Sequence, residues 1–504
     1  MSTQDKKQDQ EKIEEGKAKQ NQRTTSTHEI QVGKASLRFE CITDWMEIHE
    51  DEKPDAEMFY VYYRKLDAEK TPNRALTFCF NGGPGASSVF LHLGQCGPWR
   101  VDLRNGGEVP ALPAQTIENQ ENWLDFTDLV FVDPIGTGYS RTKEDSEDQK
   151  DKKPKDQRRY YATNKDIATL GQFVSHFLSQ HKRWSSPLCL AGESYGGYRV
   201  ARLSKHMQSK NGINVAGALL ISPALDFSTL SGSDYNIRHW IDVFPTFVAT
   251  AIFHGKSQKY KIPIQEFPGI AEEVESFATG PLAKFLILGD EMKSEEKQKV
   301  FETFAQMTGL DAKEVYEQYG RISFEYFTRA LLKDEQKVLA YHDGALTIKD
   351  PFSNRSTRQG PDPLLDAQDR AFVSSIKILF TEKFLIDTSR EYRTLHEDIF
   401  QNWKADNQTH PNFEVTNATD DLRYGLAINP HMKVMITHGY HDFVTPYFAS
   451  KRLLWSMRLG QQEKQRVLLK EYEGGHMYYL RDASRSQATQ DTREFFAQLT
   501  QERS

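Results

Sequence analysis

The stretch that most constrains this chain is Leu188 to Tyr198, LCLAGESYGGY. A short apolar run, Leu188 to Ala191, ends at Gly192-Glu193-Ser194-Tyr195-Gly196-Gly197, and a helical pattern follows from Arg199 to Gln208. Strand, sharp turn and helix, with serine at the apex, is the layout of a nucleophile elbow. The turn forces unusual backbone angles on Ser194, so nothing bulky fits two positions to either side, and Gly192 and Gly196 supply the room. The hydroxyl is lifted above the sheet edge, beside the positive end of the next helix. A glycine-serine-glycine pattern alone is common, so its surroundings decide what it means.

Those surroundings alternate short buried strands with helices. Ile30 to Glu50 and Ala56 to Leu66 alternate apolar and polar residues, as half-exposed antiparallel strands do. Arg74 to Phe80, Leu129 to Val132, Leu188 to Ala191 and Val215 to Ile221 are compact apolar runs. Asn164 to His181 has the periodicity of an amphipathic helix. Buried strands resume at Lys433 to His438 and Arg466 to Tyr472, and Ser486 to Gln501 closes the chain as a helix. This order predicts a mostly parallel sheet with helices on both faces. Between Asp226 and 415 helical periodicity dominates, as in Lys284 to Met307 and Ala312 to Lys333. The expected organisation is therefore a polar, disordered arm over 1–28, a core over 29–225, a helical lid over 226–415 and the rest of the core over 416–504. Lys143 to Arg159 and Asp350 to Pro363 read as loops.

Activating a serine requires a base for its proton and an acid to orient that base. On an elbow scaffold these follow in the order serine, acid, histidine, each in a loop after a strand. The strand ending at His438 is followed by Gly439-Tyr440-His441-Asp442, and the one ending at Tyr472 by Glu473-Gly474-Gly475-His476-Met477. Ser194, Asp442 and His476 satisfy order, spacing and position together. His438, His441 and Asp442 also suggest a metal site, but a strand end splays such side chains apart. Acyl transfer further needs donors aimed at the developing oxyanion. The N–H of Tyr195 is one candidate, and that of Gly83, in the loop Asn81-Gly82-Gly83-Pro84-Gly85 after a buried strand, is the other.

The remaining composition sets bounds. A net charge of −7 with no basic stripe disfavours nucleic acid. No apolar run reaches membrane-spanning length, and the first 29 residues lack the apolar core of a secretory signal. Cys41, Cys79, Cys96 and Cys189 show no metal-ligand spacing and read as reduced structural thiols, an expectation of a cytoplasmic protein.

Taken in order, NGGPGASS, VDPIGTGYS, GESYGG, HGYHD and GGHM resemble the serine carboxypeptidase family of α/β-hydrolases, over nearly all of residues 30 to 500. The resemblance implies an α/β-hydrolase fold and hydrolysis of the last peptide bond of a peptide, through an acyl-enzyme on Ser194. It implies no cofactor, and no metal ligand set is expected elsewhere in the sequence. The substrate's free carboxylate would be bound by Asn81 and Glu193, and Met477 would line the pocket of the leaving residue. Many family members carry a tryptophan where this chain has Cys79, a half-cystine where it has Ala86, and a second glutamate where it has Gln95. Two neighbouring carboxyls share a proton and tie recognition to acid. A glutamine supplies a permanent N–H donor, so carboxylate binding is expected to persist nearer neutral pH. An esterase or acyltransferase on the same triad, and a catalytically silent binding protein, remain the alternatives.

Overall fold

The computed structural model describes residues 21–66, 74–104, 107–109, 111, 113–143, 157–354, 362–410, 413–415 and 417–501. Most of the arm (1–20), most of the charged loop (144–156) and half of the proline-containing loop (355–361) lie outside the described residues. The chain forms two compact units. The first comprises Met1–Asp102, Ala111–Cys189 and Ala371–Asp406, and the second Leu103–Pro110, Leu190–Arg370 and Asn407–Ser504. The stretch expected as one lid, 226–415, is divided by this partition.

In the first unit, β1 (Thr24–Val32), β2 (Ala35–Glu50) and β3 (Lys53–Lys65) form an antiparallel run. β1 starts at Thr24, inside the expected arm, and is half-exposed along its length, as its alternating side chains dictate. β3 pairs antiparallel with β5 (Asp128–Val132), which pairs parallel with β4 (Leu76–Phe80). Every residue of β4 and β5 is buried, and all but Thr77 and Asp128 are apolar, as strands covered on both faces require. The helix α1 (Thr163–Gln180) buries Ile167, Leu170, Phe173, Val174 and Phe177, which recur at helical spacing.

β6 (Leu188–Glu193) begins in the first unit and ends in the second. In the second unit it lies beside β7 (Val215–Ile221), which pairs parallel with β8 (Lys433–Gly439), itself parallel to β9 (Val467–Tyr472). The helix α2 (Tyr195–Lys210) returns the chain from β6 to β7.

Between β7 and β8 the expected helices are present but shorter. Lys284 to Met307 divides at Gly289 (φ +55°) into Ala283–Leu288 and Ser294–Thr308. Ala312 to Lys333 divides at Gly320 (φ +67°) into Ala312–Glu317 and Phe324–Ala330. A positive φ ends a right-handed helix, and glycine adopts it at little cost. This mostly helical region also holds the hairpin Lys337–Leu339 with Thr347–Lys349 and the short strands Asp406–His410 and Phe413–Val415. All four cysteines are buried thiols. No helix among the described residues is long and apolar enough to cross a membrane.

Candidate active site

Ser194 stands where β6 turns into α2, with φ +61° and ψ −122°. Such a backbone costs an ordinary residue about 1–3 kcal/mol and persists only where the surroundings enforce it. Here the Ser194 N–H donates to the Ile221 carbonyl at 2.9 Å, and its own carbonyl accepts from Gly197 at 2.9 Å and Ala224 at 3.1 Å. The glycines are dictated by space. A Cβ on Gly192 would lie 2.1 Å from the Gly196 carbonyl oxygen, and one on Gly197 2.5 Å from Pro223. Tyr195 opens α2, so its N–H lies at the positive end of the helix.

Asp442 and His476, the expected acid and base, lie just past the exits of β8 and β9. His476 Nδ1 bonds Asp442 Oδ2 at 2.7 Å, in a wholly buried pair. Asp442 also accepts the N–H groups of Val444 (2.9 Å) and Thr445 (3.0 Å) on Oδ1, and the Thr445 hydroxyl at 2.6 Å on Oδ2. Burial alone would raise the Asp442 pKa, but His476 and the Thr445 donors outweigh it and hold the carboxyl below its ordinary value. Burial would lower that of His476, but Asp442 and then Glu193 outweigh it, so the imidazole titrates above its ordinary 6.5. The fixed Asp442 acceptor on Nδ1 leaves Nε2 to act as the base.

The elbow and the base loop share an anchor at the β7 exit. Ser194 bonds the carbonyl of Ile221, and the next residue, Ser222, donates its hydroxyl to the His476 carbonyl at 2.8 Å. The elbow and the base loop are thus held at adjacent residues of the β7 exit. Glu193, immediately before the nucleophile, accepts the hydroxyl of Tyr479. Met477 is buried and lines a small cavity with His342, Asp343, Asp362 and Gln368.

Three expected residues belong to the first unit. Asn81 is buried and its Oδ1 accepts the Leu91 N–H at 3.0 Å. Gly83 has φ +95°, closed to most residues, and a Cβ there would meet the Gly85 nitrogen at 2.7 Å. The glycine loop is pinned by residues 394–396: Ser87 donates to the Thr394 carbonyl at 2.9 Å, and His396 to that of Gly85 at 2.8 Å. Gln95 lies in a π-helical turn, His92–Cys96, and its buried Oε1 has no hydrogen-bond partner among the described residues.

The metal reading of His438, His441 and Asp442 does not match the side chains' partners. His438 Nε2 bonds the Ser450 hydroxyl at 2.8 Å and His441 Nδ1 the Thr250 hydroxyl at 3.2 Å, while Asp442 faces Thr445 and His476. Sequence reasoning passed over Ser222, Thr445 and Tyr479. The Thr445 role was legible in principle, since an aspartate accepting backbone N–H groups two and three residues on is an Asx turn. Ser222 and Tyr479 act across the fold and carry no local signal.

An elbow serine, a buried histidine-carboxylate pair at successive strand exits, and parallel strands joined by helices define an α/β-hydrolase. The profile of the family described as serine carboxypeptidase matches residues 32–483, and the chain belongs to that family. Serine carboxypeptidase-like 5 of Arabidopsis thaliana is 30% identical over 214 residues, 40% of this chain and 43% of the relative. The pheromone-processing carboxypeptidase kex1 of Neosartorya fischeri is 27% identical over 175 residues, 32% of this chain and 23% of that relative. The chain thus spans less than half the length of these curated relatives. Among solved structures, Kex1(Δ)p, a prohormone-processing carboxypeptidase from Saccharomyces cerevisiae, superposes with a TM-score of 0.54 at 13% identity, covering 90% of this chain and 91% of that one. That likeness concerns the fold.

Proposed function

We propose that the protein is a serine-type carboxypeptidase that hydrolyses the C-terminal peptide bond of peptides with a free carboxylate. The observation that carries this reading is the 2.7 Å bond between His476 and Asp442, in loops anchored beside the strained Ser194. In the proposed reaction His476 Nε2 takes the Ser194 hydroxyl proton as the oxygen attacks the scissile carbonyl. The resulting oxyanion is met by the N–H groups of Gly83 and Tyr195, each worth about 3–4 kcal/mol of barrier. His476 then returns the proton to the leaving amine, and water hydrolyses the acyl-enzyme by the same route.

Asn81, Glu193 and Gln95 are assigned to the substrate carboxylate, and Met477 to the leaving residue's pocket. The role of 226–415 as a lid belongs to the same proposal. Four buried thiols support a reducing, cytoplasmic setting. The test is digestion of a blocked dipeptide as free acid and as C-terminal amide, with fluorophosphonate labelling of Ser194. Cleavage of the free acid alone is expected, with Ser194→Ala lowering kcat by about a millionfold. Equal cleavage of the amide points to an esterase or acyltransferase, and folded protein that takes no label points to a binding role.

A further inference from the structure

The hairpin Lys337–Leu339 with Thr347–Lys349 has a tip, residues 340–346, that reaches the loops of both the acid and the base. The His342 carbonyl accepts the backbone N–H of His476 at 2.5 Å, and the Tyr341 carbonyl accepts that of Phe443, next to Asp442, at 3.3 Å. Gly344 donates its N–H to the His441 carbonyl at 2.9 Å and accepts His254 Nε2 at 2.8 Å. The His342 ring meets the His476 ring edge-on, with centroids 5.6 Å apart. The fit leaves no space, since a Cβ on Gly475 would lie 2.0 Å from the His342 carbonyl oxygen.

Asp362 also holds the tip, beside the bonds of Gly344 and the Arg481–Asp343 pair at 3.0 Å. Asp362 Oδ2 accepts the N–H groups of Tyr341 at 2.7 Å and His342 at 3.1 Å, and lies 3.3 Å from His342 Nδ1. The side chain of Asp362 is 2% exposed, so these charge-assisted bonds are not screened by water. The two residues whose N–H groups Asp362 takes are those whose carbonyls hold His476 and Phe443.

We propose that Asp362 is a positioning residue for the catalytic base, acting through the hairpin tip, which fixes the backbone of His476. The inference rests on the proposed carboxypeptidase reading. Among the described residues the backbone of His476 has two anchors: Ser222 holds its carbonyl and His342 holds its N–H. Loss of the second lets the imidazole drift relative to Ser194 while the substrate's own binding groups stay in place. A displacement of about 1 Å at a catalytic group costs on the order of a hundredfold in rate.

The test compares wild type, Asp362→Ala and Asp362→Asn on a blocked dipeptide, with kcat normalised to the endpoint of fluorophosphonate labelling. Asp362→Ala is expected to lower kcat per labelled site by about ten- to a hundredfold with KM unchanged. Asp362→Asn, which keeps an oxygen acceptor for the two N–H groups, is expected to recover most of the loss. Wild-type kcat in Asp362→Ala, or an equal loss in both variants, overturns the proposal. If Asp362→Ala does not fold, Gly475→Ala decides, because its methyl displaces the tip from the other side: unchanged kcat there also overturns it. Wild-type protein that neither cleaves nor takes label refutes the carboxypeptidase reading itself, which is a separate result.

Discussion

Tyr479 donates its hydroxyl to the carboxylate of Glu193, tying the segment after the base to the residue before the nucleophile. Both side chains are buried, so the bond is not exchanged cheaply for water. Tyr479→Phe removes a hydrogen bond to a charged group, about 1.5–3 kcal/mol. If Glu193 reads the substrate carboxylate, kcat/KM for a free-acid dipeptide falls by roughly ten- to a hundredfold, since 1.4 kcal/mol is a factor of ten. Steady-state kinetics against the free acid and its methyl ester check this, with the ester the less affected.

In the proposed reaction His476 must be neutral to accept the serine proton. Because the His476 pKa lies above its ordinary 6.5, activity is lost as pH falls through a midpoint above 6.5. Glu193 contributes to that elevation after Asp442. Glu193→Gln withdraws a charge that favours imidazolium, so the acid limb of kcat moves to lower pH. A pH-rate profile of both proteins measures the displacement, and a move upward would contradict the assignment.

Thr445 supports Asp442, and its hydroxyl also lies 3.1 Å from His476 Nδ1. Thr445→Val deletes the hydroxyl donor at 2.6 Å and leaves the buried Asp442 carboxylate with one bond fewer. The expected cost is about 1.5–3 kcal/mol of stability at neutral pH, read by denaturant unfolding. The sign with pH follows from the depressed Asp442 pKa. Its stabilisation is present above the ordinary carboxylate value of about 3.9 and is lost as pH falls through the lower folded value. The difference between mutant and wild type therefore shrinks in acid.

Gln95→Glu places a carboxyl at a fully buried position whose present amide needs no proton to donate. If Gln95 contributes to carboxylate binding, the substitution raises KM at neutral pH and moves the optimum of kcat/KM toward acid, where the new carboxyl is protonated. An acidic optimum already present in wild type would count against this role.

Gly192→Ala is expected to abolish soluble expression or lower Tm sharply. Its Cβ would sit 2.1 Å from the Gly196 carbonyl oxygen, within the backbone that sets the elbow angle. Thermal unfolding distinguishes this from Gly212→Ala, where a Cβ meets nothing within 4 Å and only the positive φ of +66° is strained.

The strands β4 to β9 were legible because each carries a short apolar core, such as Leu129-Val130-Phe131-Val132 or Val434-Met435-Ile436, although β9 adds Lys470 and Glu471 and is only half-buried. The elbow was legible because its glycines answer a collision that the backbone itself creates. Boundaries in the helical stretch were harder. Lys284 to Met307 keeps its apolar period across Gly289, so periodicity alone does not reveal the break. The hairpin at 337–349 escaped notice because its strands are three residues long, too short for alternation to register. His342, Ser222 and Tyr479 work through backbone atoms or across hundreds of residues. Their side-chain types say nothing of it.

Because the N–H of His476 is bonded to a carbonyl of the stretch between Ile221 and Lys433, that stretch is no detachable accessory. Trimming it to a minimal scaffold, or grafting it from a relative with a different hairpin, would remove half of the histidine's main-chain support even if every triad residue were retained.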